Sequence, residues 1–245
     1  MRRPMKRVVA LAASAALAAT AGCGVRLEAE EVSTAQSFPY TGTELKISSS
    51  LGGVRVLPGS GGKVEVERWV RGKAADSPAW SLRDGTLRLS ANCSMVFGDC
   101  GARYHIKVPP GVRLSIDAAD GVILKDLGQD VDVSSRDRIQ VSGTSGRLRL
   151  LSEGPITGDG LTSANVRCRT ADGAIDLTFA GAPTGLDLQS REGRVTATVP
   201  PGSYAVTVRS KEGGERSEIK NDAGSSRTIV ARSTSGDIRI LARRP

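Results

Sequence analysis

The sequence has one histidine and few aromatic residues. His105 is the only histidine in the 245 residues, and Phe, Trp and Tyr together make up 3% of them. No G-x-S-x-G motif accompanies His105, so the sequence does not support a Ser-His-Asp hydrolase. The aromatic residues form no recognisable stacking platform of the kind that binds single-stranded nucleic acid.

The sequence also lacks an apolar run long enough to cross a membrane, which needs about 20 residues. The longest apolar run, Val8 to Ala19, spans about a dozen residues and follows a basic segment that contains Arg2, Arg3, Lys6 and Arg7. A basic segment, a short apolar run and then small residues are typical of a secretory signal. We predict that residues 1–22 are a signal peptide and that the protein is exported.

Two cleavage sites compete at the end of this signal. Thr20-Ala21-Gly22-Cys23 resembles the lipobox of bacterial lipoproteins, although Thr20 departs from the usual Leu, Val or Ile. This site predicts a lipidated Cys23 that anchors the protein in the outer leaflet of the cytoplasmic membrane. Ala19-Thr20-Ala21 fits a simple signal-peptidase site, which would release a soluble secreted protein. The polar residues 23–41 that follow predict a flexible tether, or alternatively an ordered cap packed through Phe38 and Tyr40.

Removal of the signal changes the charge of the chain. Its four basic residues take the formal +8 of the whole sequence to +4. The remaining Arg and Lys are interleaved with Asp and Glu along the sequence. We therefore expect no nucleic-acid partner.

A repeated phrase occupies residues 113–243. Each copy has two apolar residues two apart, then a small residue, a turn that usually contains Gly, and a second apolar alternation. Successive copies begin 17 to 23 residues apart. The apolar pairs are Leu114/Ile116, Val131/Val133, Leu148/Leu150, Val166/Cys168, Leu186/Leu188, Val206/Val208 and Ile229/Ala231. A period near twenty residues predicts a solenoid, and the alternation of period two predicts strands.

The predicted fold class is all-β. We expect one domain over residues 42–243, a β-solenoid of stacked short-strand repeats resembling a right-handed parallel β-helix. Residues 45–56 reproduce the repeat phrase as a separated first copy. Longer apolar alternations and the Asp84-Gly85 turn in residues 42–112 predict an N-terminal antiparallel β region that caps the stack. We attribute the turn glycines to backbone conformations that other residues reach only with strain.

The four cysteines have three predicted roles. Cys93 and Cys100 enclose a short loop, and in an exported protein this spacing predicts a disulfide. It is a poor zinc motif. Cys168 occupies an inward position of the repeat, which predicts a buried thiol that is unreactive because it is inaccessible.

Acidic residues recur just before the turn glycines. The column consists of Asp120, Glu153, Asp172, Glu192 and Glu212. Carboxylates on neighbouring copies would repel each other, and a cation such as calcium would relieve that repulsion. The alternative is ordinary Asp-Gly and Glu-Gly turn chemistry in solvent.

The outward residue within each apolar pair also varies in charge. Stacking in register would place Asp132 opposite Arg149 and Arg167 opposite Asp187. Such pairs help to set register, and they indicate a solvated sheet instead of a cleft.

The repeat resembles the putative adhesin family of bacterial envelope proteins. The residues that carry the resemblance are Tyr104-His105-Ile106-Lys107-Val108-Pro109-Pro110-Gly111 and the phrases at residues 170–175, 190–195 and 233–240. The resemblance covers about residues 42–243. It implies a right-handed stack of short strands outside the cell, and it provides no catalytic residues.

The function we expect is that of a non-enzymatic, membrane-anchored cell-surface lipoprotein without a required cofactor. Its sheet faces would bind an envelope glycan or a surface protein through many weak contacts. Two alternatives stay open. One is an envelope polysaccharide hydrolase or lyase that uses Asp120, Asp172 and Glu192, and the other is a ligand-sensing lipoprotein that works with a membrane partner.

Overall fold

The computed structural model describes residues 31–76, 78–93 and 100–244. The predicted signal peptide and the predicted lipidation site Cys23 lie outside these residues. No helix in the described ranges is long and apolar enough to span a bilayer.

The described chain is all-β, apart from one short 3-10 helix at Lys73–Ala75. The strands before residue 110 are β1 (Glu31–Pro39), β2 (Glu44–Ser49), β3 (Gly53–Pro58), β4 (Lys63–Gly72), β5 (Ala79–Arg83), β6 (Thr86–Ser90) and β7 (Cys100–Val108). The strands after it are β8 (Arg113–Ala118), β9 (Val122–Lys125), β10 (Val131–Ser135), β11 (Ile139–Ser142), β12 (Leu148–Ser152), β13 (Ile156–Leu161), β14 (Asn165–Thr170), β15 (Ile175–Phe179), β16 (Gly185–Ser190), β17 (Val195–Val199), β18 (Ala205–Ser210), β19 (Glu215–Ser217), β20 (Thr228–Ser233) and β21 (Ile238–Ala242).

These strands form two mixed sheets. Sheet A has 11 strands in the order β1-β4-β7-β3-β9-β11-β13-β15-β17-β21-β19. Sheet B has 10 strands in the order β18-β20-β16-β14-β12-β10-β8-β2-β6-β5. The apolar residues of both sheets meet in one continuous core of Leu, Val and Ile.

Each copy of the repeat forms a unit that we call a rung, with its first strand in sheet B and its second in sheet A. Val131 pairs in parallel with Leu114 on one side and Leu148 on the other. The predicted apolar pairs are buried in every copy except one, because alternation turns them toward the facing sheet. The exception is Val206/Val208, which is partly buried.

Chain order and stack order differ at the C-terminal end. The last rung, β20–β21, lies between the β16–β17 rung and the β18–β19 rung. Ile229, Ile238 and Ile240 of this last rung are fully buried, whereas all three residues of β19 are exposed. The rung that is apolar on both strands therefore takes the interior position, and the more polar β18–β19 rung forms the end of the stack.

The N-terminal region contains a rung and an antiparallel cap. The β2–β3 rung pairs in parallel with β8 and β9, which confirms the separated first copy. β4 with β7 and β5 with β6 pair antiparallel in the region where such strands were expected, and β1 adds a further antiparallel pairing with β4. Asp84 and Gly85 connect β5 to β6 with φ values of 49° and 69°. Such a pair of positive φ values is the usual requirement of a two-residue hairpin.

The tether predicted for residues 23–41 is wrong over Glu31–Pro39. These residues form β1, which pairs with β4 along its whole length. Phe38 and Tyr40 pack against the core, as in the alternative of an ordered cap. Seven consecutive residues of this edge strand, from Glu31 to Ser37, are exposed, so no burial alternation marks it in the sequence.

A hydroxyl ladder runs along the turns of the rungs. The small residue after each apolar pair is Ser or Thr in most copies, and its hydroxyl donates a hydrogen bond to a backbone carbonyl of the neighbouring rung. The pairs are Ser135 with Asp120, Ser152 with Asp137, Thr170 with Gly154, Ser190 with Gly173, Ser233 with Gly193, and Ser210 with Gly236. Most of these hydroxyls also accept a hydrogen bond from an N–H of their own turn. The ladder thus fixes each turn and ties it to the next.

The turn glycines are required for a different reason from the one expected. Gly173, Gly193 and Gly236 do not have positive φ values. A Cβ on Gly193 would lie 2.0 Å from the carbonyl oxygen of Gly173, and one on Gly236 would lie 2.1 Å from that of Gly193. Close approach of neighbouring rungs, and not backbone strain, is what excludes a side chain here.

Candidate functional site

The outward face of sheet B over its last five rungs is the candidate site. We call it the sheet B face. The outward positions on β12, β14, β16, β20 and β18 that lie in register with Arg149 or with Leu151 are Arg149, Leu151, Arg167, Arg169, Asp187, Gln189, Val230, Arg232, Thr207 and Arg209. They form two rows that run across the strands, because outward side chains recur every second residue and the register is unbroken.

The first row contains the ion pairs predicted from the sequence. Asp132 pairs in register with Arg149, with 3.7 Å between Oδ1 and Nε. Arg167 pairs in register with Asp187, with 3.1 Å between Nε and Oδ2. Asp187 also contacts Arg232, at 3.6 Å. The register predicted for these pairs is confirmed.

The second row was not recognised in the sequence. Leu151, Arg169, Gln189, Arg232 and Arg209 follow one another across neighbouring strands. Arg232 and Arg209 become neighbours only because the last rung inserts before β18, which chain order did not reveal. Three arginines therefore share a row that has no carboxylate on these five strands.

The charge of the sheet B face is strongly one-sided. Its ten outward positions carry five arginines, all exposed, and one aspartate, which gives a formal +4. On the sheet A side of the same rungs, Asp159 and Asp176 offset Arg216 and Arg239. The interleaving of charges along the sequence is therefore not preserved on the surface. Over these five rungs, the basic patch lies on the sheet B side.

The surface of the sheet B face has only shallow relief. An open depression of about 510 Å³ lies along its first row, and a second of about 590 Å³ extends from its second row to the turns and over the neighbouring strands β8 and β10. Both are bounded by strand side chains, among them Arg149 and Arg167 in the first and Arg169 and Gln189 in the second. A ligand would lie along the strands' surface instead of entering a closed pocket.

The acidic column is only partly brought together. Asp172 and Glu192 lie on adjacent rungs, and both contact Arg191, at 2.5 and 3.5 Å. The hydrogen bond from Arg191 to Asp172, together with both negative charges, raises the pKa of the Arg191 guanidinium. Arg191 therefore supplies a counter-charge to both carboxylates from within the protein.

Asp120 and Glu212 are separated from this pair, whereas Glu153 lies on the rung next to Asp172. Asp120 accepts a hydrogen bond from the N–H of Gly52 and lies three rung spacings from Asp172, about 14 Å. Glu153 is exposed, and its carbonyl accepts a hydrogen bond from the N–H of Asp172. The last rung stands between Glu192 and Glu212. Within the described ranges, no group of three or more His, Cys, Asp and Glu residues could hold a metal ion.

His105 lies on the outward face of β7, as alternation predicted. Its ring makes an edge contact with Trp69, with 4.5 Å between centroids. Burial and the nearby Arg55 guanidinium hold the pKa of His105 below its usual range. The imidazole is therefore neutral at neutral pH, and its visible role is packing against Trp69.

The two tryptophans lie on opposite sides of the cap, so they do not form a common aromatic face. Trp80 faces the core, where Arg68 stacks on it at 4.1 Å from the ring centroid. Arg68 is 7% exposed, and its Nε and one terminal nitrogen make no hydrogen bond. Burial lowers the pKa of Arg68. This buried arginine interrupts the apolar inward row of Val64, Val66 and Val70 on β4, and the sequence alternation did not reveal it.

The three cysteines within the described ranges are a bonded pair and one buried free thiol. Cys93 and Cys100 form a disulfide with 6.0 Å between their Cα atoms. Cys168 is free and fully buried. Burial raises the pKa of its thiol far above the usual range, so the nucleophilic thiolate is suppressed.

Comparison with known proteins gives structural neighbours only. No family model matches the chain, and no curated protein matches it either. Among solved structures, a putative adhesin from Parabacteroides distasonis is 12% identical, with 85% of this chain and 97% of that chain covered and a TM-score of 0.49. A putative adhesin from Bacteroides fragilis is 13% identical, with 86% and 97% covered and a TM-score of 0.47.

A third solved structure has a related description. A putative cell adhesion protein from Clostridium sporogenes is 9% identical, with 86% of this chain and 100% of that chain covered and a TM-score of 0.40. These three solved structures are thus described as putative adhesins or as a putative cell adhesion protein.

Proposed function

We propose that this protein is a non-enzymatic, adhesin-like surface lipoprotein whose β-solenoid domain binds a polymer of the cell envelope. The observation that supports this most directly is the repeated outward face of sheet B. Outward positions recur on successive rungs at a spacing of about 4.8 Å, and arginine occupies several of them. Such a surface favours many weak contacts along an extended ligand, and not the turnover of a single bond.

The β-solenoid is supported by the parallel register of the repeat in both sheets. Strands of neighbouring rungs pair residue for residue from β8 to β16 in sheet B and through most of sheet A. Each rung thus buries its apolar face only against other rungs and the facing sheet. Stability in such an architecture is a sum over neighbouring units, and both ends need caps.

The membrane anchor is proposed from the sequence of residues 1–23. Strand β1 begins at Glu31 at the cap end of sheet A. A lipid on Cys23 would therefore place the cap nearest the membrane and the β18–β19 rung farthest from it. In this orientation the sheet B face would extend away from the membrane and stay accessible.

The anchor is tested by labelling in a bacterial host. Labelled palmitate should enter the wild-type protein and should not enter the Cys23→Ser variant. Equal incorporation into both proteins, or into neither, would replace the lipoprotein with a secreted soluble protein.

The binding function is tested with the mature domain carrying Cys23→Ser. The domain is mixed with isolated envelope fractions and with a panel of glycans, and both binding and polymer length are measured. We expect saturable binding with polymer recovered at unchanged length. Shortened polymer would support the hydrolase or lyase alternative, and the absence of binding to every fraction would contradict the proposal.

A further inference from the structure

We infer that the sheet B face binds an extended acidic polysaccharide, a glycan that carries carboxylate or phosphate groups along its length. This inference rests on the proposed function and names the ligand class of the same surface. It follows from the distribution of charge, the spacing of the arginines and the chemistry of the groups between them.

The charge distribution is the first reason. After removal of residues 1–22 the formal charge of the chain is +4. The outward positions of five sheet B strands alone have a net formal charge of +4. The outward positions of the same rungs in sheet A have a net formal charge of zero. The remainder of the mature chain is therefore formally neutral. The net charge is concentrated on one long face, where it attracts polyanions.

The spacing of the arginines is the second reason. Arg169 and Arg209 are three rung spacings apart, about 14 Å. Arg167 and Arg169 are two residues apart on one strand, which separates them by about 7 Å. One small anion cannot reach all of these groups. A polymer with an anionic group on successive residues can contact several of them at once.

Repulsion between the arginines is the third reason. Arg149 lies directly opposite Arg167, and Arg232 lies directly opposite Arg209. Like charges at opposed positions destabilise a sheet. Asp132 offsets Arg149, and Asp187 partly offsets Arg167 and Arg232, whereas Arg169 and Arg209 have no ion pair within the described ranges. An anionic ligand on Arg209 would relieve its repulsion with Arg232, and one on Arg169 would pair the other guanidinium that lacks a carboxylate.

The groups between the arginines favour a glycan. Gln189 and Thr207 are exposed and can exchange hydrogen bonds with sugar hydroxyls. Leu151 is 52% exposed and lies beside Arg169, where an apolar side chain can cover the C–H face of a sugar ring. Guanidinium groups provide paired N–H donors that match carboxylate and phosphate oxygens.

The experiment compares two variants of equal charge. Arg169→Gln, Arg209→Gln and Arg232→Gln are combined in the mature Cys23→Ser protein. The control combines Lys125→Gln, Arg216→Gln and Arg239→Gln, which remove the same charge from the outward side of sheet A. The probes are polygalacturonate, long-chain polyphosphate, neutral dextran and short duplex DNA, at low and at physiological salt. Polygalacturonate and polyphosphate separate carboxylate from phosphate recognition.

We expect the parent protein and the sheet A control to bind polygalacturonate at least about tenfold more tightly than dextran, with affinity that falls as salt increases. The sheet B variant should lose at least about tenfold in affinity. Thermal melting verifies that both variants fold. If the triple variant fails to fold, Arg209→Gln alone, on the terminal strand, should still weaken binding by at least about twofold.

Three results would overturn the inference. One is equal loss of affinity in the sheet A control, and another is equal affinity for dextran and polygalacturonate. The third is tighter binding of duplex DNA through the same arginines, which would assign the face to nucleic acid. If both variants still bind the envelope fractions as the parent protein does, this inference is rejected and the proposed function stands. Failure of the parent protein to bind any envelope fraction would reject the proposed function as well.

Discussion

The hydroxyl of Ser190 donates a 2.9 Å hydrogen bond to the carbonyl oxygen of Gly173, one rung away. The same hydroxyl accepts a 2.8 Å hydrogen bond from the N–H of Gly193 in its own turn. Ser190 is 2% exposed, so neither backbone group has water as an equivalent partner at this position. One side chain thus completes its own turn and joins it to the preceding one.

Loss of this hydroxyl should therefore destabilise the stack. Ser190→Ala leaves a buried carbonyl and a buried N–H without their partner, and we expect a loss of about 1 to 3 kcal/mol in the free energy of unfolding. Ser190→Thr is the matched control, because Thr170 occupies the equivalent position and makes the equivalent hydrogen bond. Urea unfolding measures the stability of both variants. A Ser190→Ala variant as stable as Ser190→Thr would contradict a structural role for the ladder.

Close contact between turns predicts that a substitution of Gly193 strongly destabilises the fold. A Cβ there would lie 2.0 Å from a backbone oxygen that cannot move without shifting the neighbouring rung. Gly193→Ala should therefore cost at least about 3 kcal/mol of unfolding free energy. Gly61→Ala is the control, since a Cβ at that exposed turn meets nothing within 4 Å, and its effect should stay within about 0.5 kcal/mol. Similar stability of the two variants would show that the rungs are not packed this closely.

Because the last rung is inserted inside the stack, Ile240 and Val208 differ in burial. Ile240 is fully buried between two rungs, whereas Val208 belongs to the terminal rung and is only partly buried. We expect Ile240→Ala to cost about 2 to 5 kcal/mol. Val208→Ala should cost clearly less, about 1 kcal/mol. If the rungs stacked in chain order, Ile240 would be terminal and the ranking would be reversed.

The environment of His105 predicts a pH-dependent contribution to stability. Burial and the Arg55 charge lower the pKa of the folded-state imidazole below its unfolded value, and Arg103 acts in the same direction while Glu67 opposes it. The unfolded state therefore binds the proton more readily. Stability is full above the unfolded pKa and falls as pH decreases through about 6.5 and toward the folded pKa.

His105→Gln removes this proton-linked term. Between about pH 8 and pH 5.5, urea midpoints of the wild type should decline more than those of the variant. The pH range stays above the ordinary pKa values of Asp and Glu, so carboxylates contribute little to the difference. Parallel declines in the two proteins would show that His105 is as solvated in the folded state as in the unfolded chain.

The repeat made much of the architecture predictable. Alternation identified the inward pairs from Leu114 to Ala231, and the register of Asp132 with Arg149 and of Arg167 with Asp187 followed from them. These features depend on local spacing and on the two-residue period of a strand, both of which are visible in one sequence.

Three features could not be obtained in that way. β1 is an exposed edge strand with no burial alternation, so nothing in Glu31–Ser37 distinguished it from a tether. The insertion of β20–β21 depends on which rung buries more apolar surface, which is a comparison between distant segments. The second row of arginines depends on that insertion, because Arg232 and Arg209 are neighbours in the stack but not in the order of the copies.

Blocking one face at a time tests most directly whether the sheet B face is the binding surface. Gln189→Cys and Gln140→Cys place a thiol on exposed outward positions of sheet B and sheet A in the mature Cys23→Ser protein. Cys168 is buried and Cys93 and Cys100 are paired, so a bulky maleimide should react at the introduced thiol. Binding of each labelled protein to isolated envelope fractions is then compared with its unlabelled form. The account predicts that the label at position 189 reduces affinity at least about tenfold and that the label at position 140 leaves it unchanged. Equal binding by the two labelled proteins would contradict it.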